Sequence, residues 1–132
     1  MISTVGSGEV IDAGNSSSML QLSTEVSSKT QLWEFLPAPG GWLKIRNVGS
    51  GQLMMVSSAS QDAGATVEQD EDYGDDGQLW RVQDMEGSGQ FLIRNKATDV
   101  VASVDGQMVV QQAALNGSTS QLWKLLASVP PP

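Results

Sequence analysis

Carboxylates, side-chain amides and hydroxyls are the groups with which this chain could do chemistry, because its sequence contains no His and no Cys. That composition leaves no Cys/His zinc site, no Ser-His-Asp triad and no thiol nucleophile. What remains is hydrogen bonding, in which ionised Asp and Glu accept from hydroxyls while Asn and Gln both donate and accept. The carboxylates are unevenly placed. Glu68, Asp70, Glu71, Asp72, Asp75 and Asp76 crowd the stretch 68–76 beside Tyr73, the only tyrosine, and most of the net charge of −8 falls between 68 and 86. Such a run is ordinarily a solvated loop of mutually repelling charges. Its oxygens suit Ca²⁺ in number, but the EF-hand spacing is missing, so no metal is expected. A carboxylate pair is also what glycoside hydrolysis requires. The run gives no fixed separation between two carboxyls, however, and the chain reads as a non-enzyme without a cofactor.

The acidic balance, 15 Asp and Glu against 7 Lys and Arg, opposes nucleic acid as a partner, since phosphate backbones are held by basic surfaces. The opening MISTVGSGEV has neither a basic start nor an apolar stretch of signal-peptide length. No apolar run approaches the roughly 20 residues of a membrane-spanning helix. With no disulfide chemistry available, a cytoplasmic location is expected.

The elements that must position these groups come from an internal repeat. Gln-Leu-Trp occurs at Gln31-Leu32-Trp33, Gln78-Leu79-Trp80 and Gln121-Leu122-Trp123, and each copy continues with a charged and then an apolar residue. Alternation of that kind belongs to a strand. Upstream lie Ile45-Arg46-Asn47 and Ile93-Arg94-Asn95, with Ile2-Ser3-Thr4 as a degraded first copy, and Val5-Gly6-Ser7-Gly8-Glu9-Val10 aligns with Val48-Gly49-Ser50-Gly51-Gln52-Leu53. Leu20, Val67 and Val110 share one position, and the longer interval from Ile45 to Gln78 gives the second unit an insertion. Frequent Gly, Ser and Pro interrupt every helical window, whereas Leu43–Asn47 and Phe91–Asn95 read as strands. The expectation is one all-β domain over 1–132, in three units at about 1–40, 41–87 and 88–128 with a Pro-rich tail at 129–132. Buried Trp supplies packing area and buried Gln can pin a turn, so Gln31, Trp33, Gln78, Trp80, Gln121 and Trp123 are assigned to structure. Trp42 lies outside the repeat and is open to two readings, a partly exposed residue or a plug at the barrel end.

Three Gln-x-Trp copies in register, each with an Ile-x-Asn element and a Gly-x-Val/Leu turn, resemble the ricin B-type β-trefoil lectins over essentially the whole chain, and the small intracellular mushroom lectins most of all. The resemblance implies a pseudo-threefold barrel of twelve strands, four per unit, with a shallow sugar site possible on each unit. It also implies an Asp acceptor after the Val/Leu-x strand. Asp12 fills that place in unit 1, whereas Met55 and Ser103 stand there in units 2 and 3. The family's Asn before the repeated Gln is Thr30 here, with Gly77 and Ser120 in the other units. Asp12, Gly14, Asn15, Gln21 and Thr30 are therefore the unit 1 candidates. The competing reading makes Asp12 a turn residue. Unit 2 offers Asp70 and Asp72 as acceptors with Tyr73 as a ring to stack on a sugar. Unit 3 offers Asp105, Gln111 and Asn116.

The function these features imply is a non-catalytic lectin for glycans ending in galactose or N-acetylgalactosamine, forming a homo-oligomer if it agglutinates. The alternative is a trefoil scaffold that binds protein, as a protease inhibitor or assembly module, having lost its sugar sites.

Overall fold

In a computed structural model of the chain, the structure describes residues 2–5, 9–13, 20–23, 29–56, 67–84, 89–99, 101–104, 110–113 and 121–125. These form twelve strands: β1 Ile2–Thr4, β2 Val10–Asp12, β3 Gln21–Ser23, β4 Trp33–Pro37, β5 Leu43–Asn47, β6 Leu53–Val56, β7 Val67–Asp70, β8 Trp80–Asp84, β9 Phe91–Asn95, β10 Val101–Val104, β11 Val110–Ala113 and β12 Trp123–Leu125. Both strands expected from alternation form over the expected residues. The helical content among the described residues is confined to short 3₁₀ turns such as Lys29–Gln31 and Asp76–Gln78, as expected of a chain so rich in turn formers.

Pairing repeats three times. The antiparallel pairs β4·β5, β8·β9 and β12·β1 join one unit to the next, while β2·β3, β6·β7 and β10·β11 are hairpins within units. Each hairpin hangs from the first strand of its unit through a short antiparallel contact, Ser3 with Val10, Arg46 with Leu53 and Arg94 with Val101. Within a unit the first and fourth strands also meet, Leu43 opposite Trp80 and Phe91 opposite Trp123.

The core is stacked from residues at equivalent places. Ile2, Ile45 and Ile93 are wholly buried, as are Trp80 and Trp123, and Trp33 is nearly so. In β4, β8 and β12 the buried Trp is followed by an exposed charge, Glu34, Arg81 or Lys124, and then by half-buried Phe35, Val82 or Leu125. Each Trp also satisfies its indole N–H on a buried carbonyl: Trp33 on Ile11 at 3.1 Å, Trp80 on Met54 at 2.8 Å and Trp123 on Ala102 at 3.2 Å. Large apolar area and a satisfied polar tip are what a buried Trp needs.

The Asn of the Ile-x-Asn element staples neighbouring units together. Asn47 Oδ1 accepts the amides of Gly49 and Ser50 at 3.0 Å, and its Nδ2 donates to the Thr30 carbonyl at 2.9 Å. Asn95 does the same with Ala97, Thr98 and the Gly77 carbonyl. The turn after Asn47 is so tight that a Cβ on Gly49 would lie 3.1 Å from the main chain of Lys29 and Thr30. Gly49→Ala is expected to lower unfolding free energy by about 1–3 kcal/mol through overpacking, read by urea denaturation; an unchanged midpoint would mean that this approach is not tight.

Candidate functional site

Of the unit 1 candidates, Asp12 and Gln21 stand at the loop end of the β2·β3 hairpin, and the main chain of Thr30 is drawn up to it. Asp12 is the last residue of β2 and stands in register with Gln21, the first of β3. The next residue, Ala13, donates its amide to the Thr30 carbonyl at 3.0 Å, which draws the Lys29–Gln31 turn against the strand end. From that turn the wholly buried Gln31 donates its Nε2 to Asp12 Oδ2 at 3.1 Å. Asp12 itself is half-buried. Its side chain is thus reached by a residue far along the chain. Gly14 and Asn15 lie outside the described residues, and Gln21 is described in its main chain alone.

The equivalence of Asp12, Met55 and Ser103 follows from the indole bonds. The carbonyls of Ile11, Met54 and Ala102 receive the three tryptophans, so the residue after each occupies one place in the threefold frame. Register agrees, with Met55 opposite Glu68 and Ser103 opposite Gln111. Met55 and Ser103 are both buried. In unit 3 Asp105 and Asn116 lie outside the described residues, and Gln111 is described in its main chain alone.

Unit 2 builds something different on the same frame. With Met55 in the acceptor place, buried Gln78 turns its amide to the acidic loop: Nε2 donates to the Glu71 carbonyl, and Oε1 accepts the Tyr73 amide at 2.9 Å. Gln78 thereby ties the 71–73 main chain to the Asp76–Gln78 turn. In unit 1 the same residue type instead grips a carboxylate. Asp72 receives Lys44 Nζ at 2.7 Å on Oδ2 and the Gly74 amide at 3.0 Å on Oδ1, and the Lys44 ammonium, then the Gly74 amide, hold its carboxyl below the ordinary carboxylate range. Asp70 Oδ1 accepts the Glu71 amide at 2.8 Å and the Tyr73 hydroxyl at 3.0 Å. That hydroxyl is pushed above its usual pKa, first by the bond to Asp70 and then by the carboxylate's charge. Tyr73 is 56% exposed. The structure therefore brings Asp70, Asp72 and Tyr73 into one loop, with polar atoms of each engaged within it or with Lys44.

Reading Gln31 as purely structural misses its second task, orienting Asp12. The sequence does hold a signal for it: Gln recurs in all three units while the acceptor Asp does not, so only unit 1 pairs the two. Trp42 is half-buried, lies outside the core cluster, and has the Arg81 guanidinium 4.3 Å from its ring centroid. That placement agrees with the partly exposed reading.

Three four-stranded units, joined by paired strands and each carrying a hairpin, define a β-trefoil. The family model for the ricin-type beta-trefoil lectin domain-like proteins matches residues 1–70 and 29–107, and the chain belongs to that family. Among solved structures it is similar to ThreeFoil, a designed threefold-symmetric protein, with a TM-score of 0.91 at 24% identity over 96% of each chain. It is similar also to part of an exo-beta-1,3-galactanase from Clostridium thermocellum, with a TM-score of 0.88 and 27% identity over 96% of this chain and 29% of the enzyme. A Polyporus squamosus lectin, bound to a human-type influenza-binding epitope, superposes with a TM-score of 0.83 at 20% identity over 93% of this chain and 46% of that one. No curated protein matches the sequence.

Proposed function

We propose that this chain is a non-catalytic carbohydrate-binding protein that takes the galactose or N-acetylgalactosamine ends of glycans at unit 1, with Asp12 accepting from vicinal hydroxyls. The observation that carries the reading is the Gln31–Asp12 hydrogen bond of 3.1 Å. It fixes a half-exposed carboxylate at a strand end in a member of a lectin-domain family. A carboxylate so held loses little further freedom when a sugar arrives, which favours binding at a shallow site. Gln21 and Thr30 are the further contacts of this reading, together with Gly14 and Asn15, which lie outside the described residues. Asp70, Asp72 and Tyr73 in unit 2, and Asp105, Gln111 and Asn116 in unit 3, are secondary places for a sugar.

Binding without catalysis fits the chemistry nearby. Hydrolysis of a glycoside would need a second carboxyl across the bound sugar from Asp12, and Gln21, Thr30 and Gln31 are uncharged. Similar solved structures include the lectin SeviL bound to an asialo-GM1 saccharide and parts of an exo-beta-1,3-galactanase and of a GlcNAcα1-4Gal-releasing endo-β-galactosidase. Together they support glycan recognition by this architecture. On a glycan array the protein is expected to mark β-galactoside and N-acetylgalactosamine termini; silence across both classes would overturn the reading. Cross-linking of cells would further require self-association to multiply the sites, which light scattering on the protein in solution measures.

A further inference from the structure

One face of the barrel departs from the threefold pattern in a way that packing does not require. Where units 1 and 2 join, Glu34 on β4 stands opposite Arg46 on β5, and the two make an ion pair of 2.8 Å. Where units 2 and 3 join, the same register sets Arg81 against Arg94. Like charges directly opposed across antiparallel strands repel each other, and here they do so in a chain that has few basic residues to place. Arg94 turns aside to Asp99, bonding its carbonyl at 2.9 Å and its carboxylate at 3.4 Å. Arg81 lies over Trp42, and the Lys96 ammonium comes within 5.7 Å of the same ring. Among the described residues, the Arg81 side chain makes neither an ion pair nor a hydrogen bond, and the Trp42 indole N–H has no acceptor. Lys96 also reaches Asp76 at 3.3 Å.

The trio is peculiar to this junction. By register, Gln90 takes the place of Trp42 in the next unit, Glu34 and Lys124 take that of Arg81, and Val48 and Val5 take that of Lys96. The other three tryptophans are buried in the core, whereas Trp42 is half-buried outside it. A guanidinium stacked on an indole is pre-oriented, and its in-plane N–H fork remains free for two parallel bonds to a carboxylate or sulfate. We propose that Trp42, Arg81 and Lys96 form a second binding site, for the carboxylate or sulfate of an acidic sugar. The choice of a sugar rests on the carbohydrate-binding reading above; the choice of an anion rests on the Arg81 and Lys96 cations alone. Asp76, exposed and 3.3 Å from the Lys96 ammonium, repels an extended acidic polypeptide, while one anionic group can be seated in the fork. The indole supplies an apolar ledge and an N–H donor for the sugar ring.

The test is titration of the whole chain with methyl β-glucuronide and glucose 6-sulfate, followed by tryptophan fluorescence and calorimetry. Methyl β-glucoside, sodium sulfate and poly-glutamate are run in parallel. Both acidic sugars are expected to perturb Trp42 and to bind more weakly as salt is raised. Affinity should fall by about tenfold or more in Arg81→Glu, as loss of a charge-assisted bidentate contact implies. That variant reinstates the Glu–Arg pairing of the other junction, so it should melt at or above the parent temperature. Lys96→Val should weaken binding without unfolding the chain. Asp12→Ala should leave acidic-sugar binding intact while abolishing that of a neutral galactoside, so the two sites fail separately. The proposal is overturned if neither acidic sugar binds, if Arg81→Glu binds them equally well, if sulfate alone binds as tightly as glucose 6-sulfate, or if poly-glutamate binds in their place.

Discussion

Trp80→Ala is expected to lower the unfolding free energy by about 3–5 kcal/mol, with Trp123→Ala close behind. Both side chains are wholly buried in the cluster that includes Ile2, Ile45 and Ile93, so their removal leaves a cavity that facing units cannot fill. The change also strips a partner from a buried carbonyl, since Trp80 Nε1 donates to Met54 at 2.8 Å. A buried acceptor left unmatched adds its own penalty of about 1–3 kcal/mol. Against a total stability of about 5–15 kcal/mol for a small domain, such a loss separates a folded protein from one largely unfolded at 37 °C. Far-UV circular dichroism through thermal and urea denaturation reads the effect without depending on the removed fluorophore. Trp80→Phe should recover most of the packing but not the hydrogen bond, and so fall between the two. A Trp80→Ala protein with an unchanged transition would show that the repeated Trp is not what holds the units together.

Asp12→Ala is expected to abolish sugar binding while leaving the fold. If the carboxylate accepts two hydroxyls, each charge-assisted bond contributes about 1.5–3 kcal/mol, and its removal weakens a shallow site by about a hundredfold or more, beyond detection. The chain should stay folded with a lowered melting temperature, because releasing the wholly buried Gln31 amide costs about 1–3 kcal/mol while Asp12 itself is half-buried. Gln31→Ala separates orientation from contact. Without its amide the carboxylate is present but less firmly oriented, so affinity should fall less than in Asp12→Ala, and the stability cost should be greater because Gln31 is wholly buried. Equal binding by the parent and Asp12→Ala, measured calorimetrically with lactose, would remove Asp12 from the site.

These two results separate what a repeat is for from what a single copy is for, and the same division governs what is legible in the sequence alone. Residues present three times, such as the Trp of each Gln-Leu-Trp, serve the barrel, and alternation at Trp33-Glu34-Phe35 already places their faces. Asp12 stands out because the family resemblance implies an acceptor Asp at that place, which Met55 and Ser103 fill in the other units, and the indole-to-carbonyl bonds at Ile11, Met54 and Ala102 support that alignment atom by atom. Other features depend on contacts that no local pattern encodes. That Gln31 meets a carboxylate while Gln78 meets main chain depends on which neighbour the third dimension supplies. Arg81 reaches Trp42 because β5 and β8 are staggered, with Leu43 opposite Trp80; the stagger of a barrel is a global property. The acidic stretch 68–76 is conspicuous in composition, yet its internal order comes from the Gln78 amide and from Lys44 of another strand.

The most direct test of sugar binding at unit 1 is a residue-resolved NMR titration with N-acetylgalactosamine and lactose. Binding there predicts saturable amide shifts centred on Ile11, Asp12, Ala13, Thr30 and Gln31, absent from Asp12→Ala and small around Met55 and Ser103. Shifts centred on the 71–76 loop or on unit 3 with none at Asp12, or no saturable shift with either sugar, would contradict it.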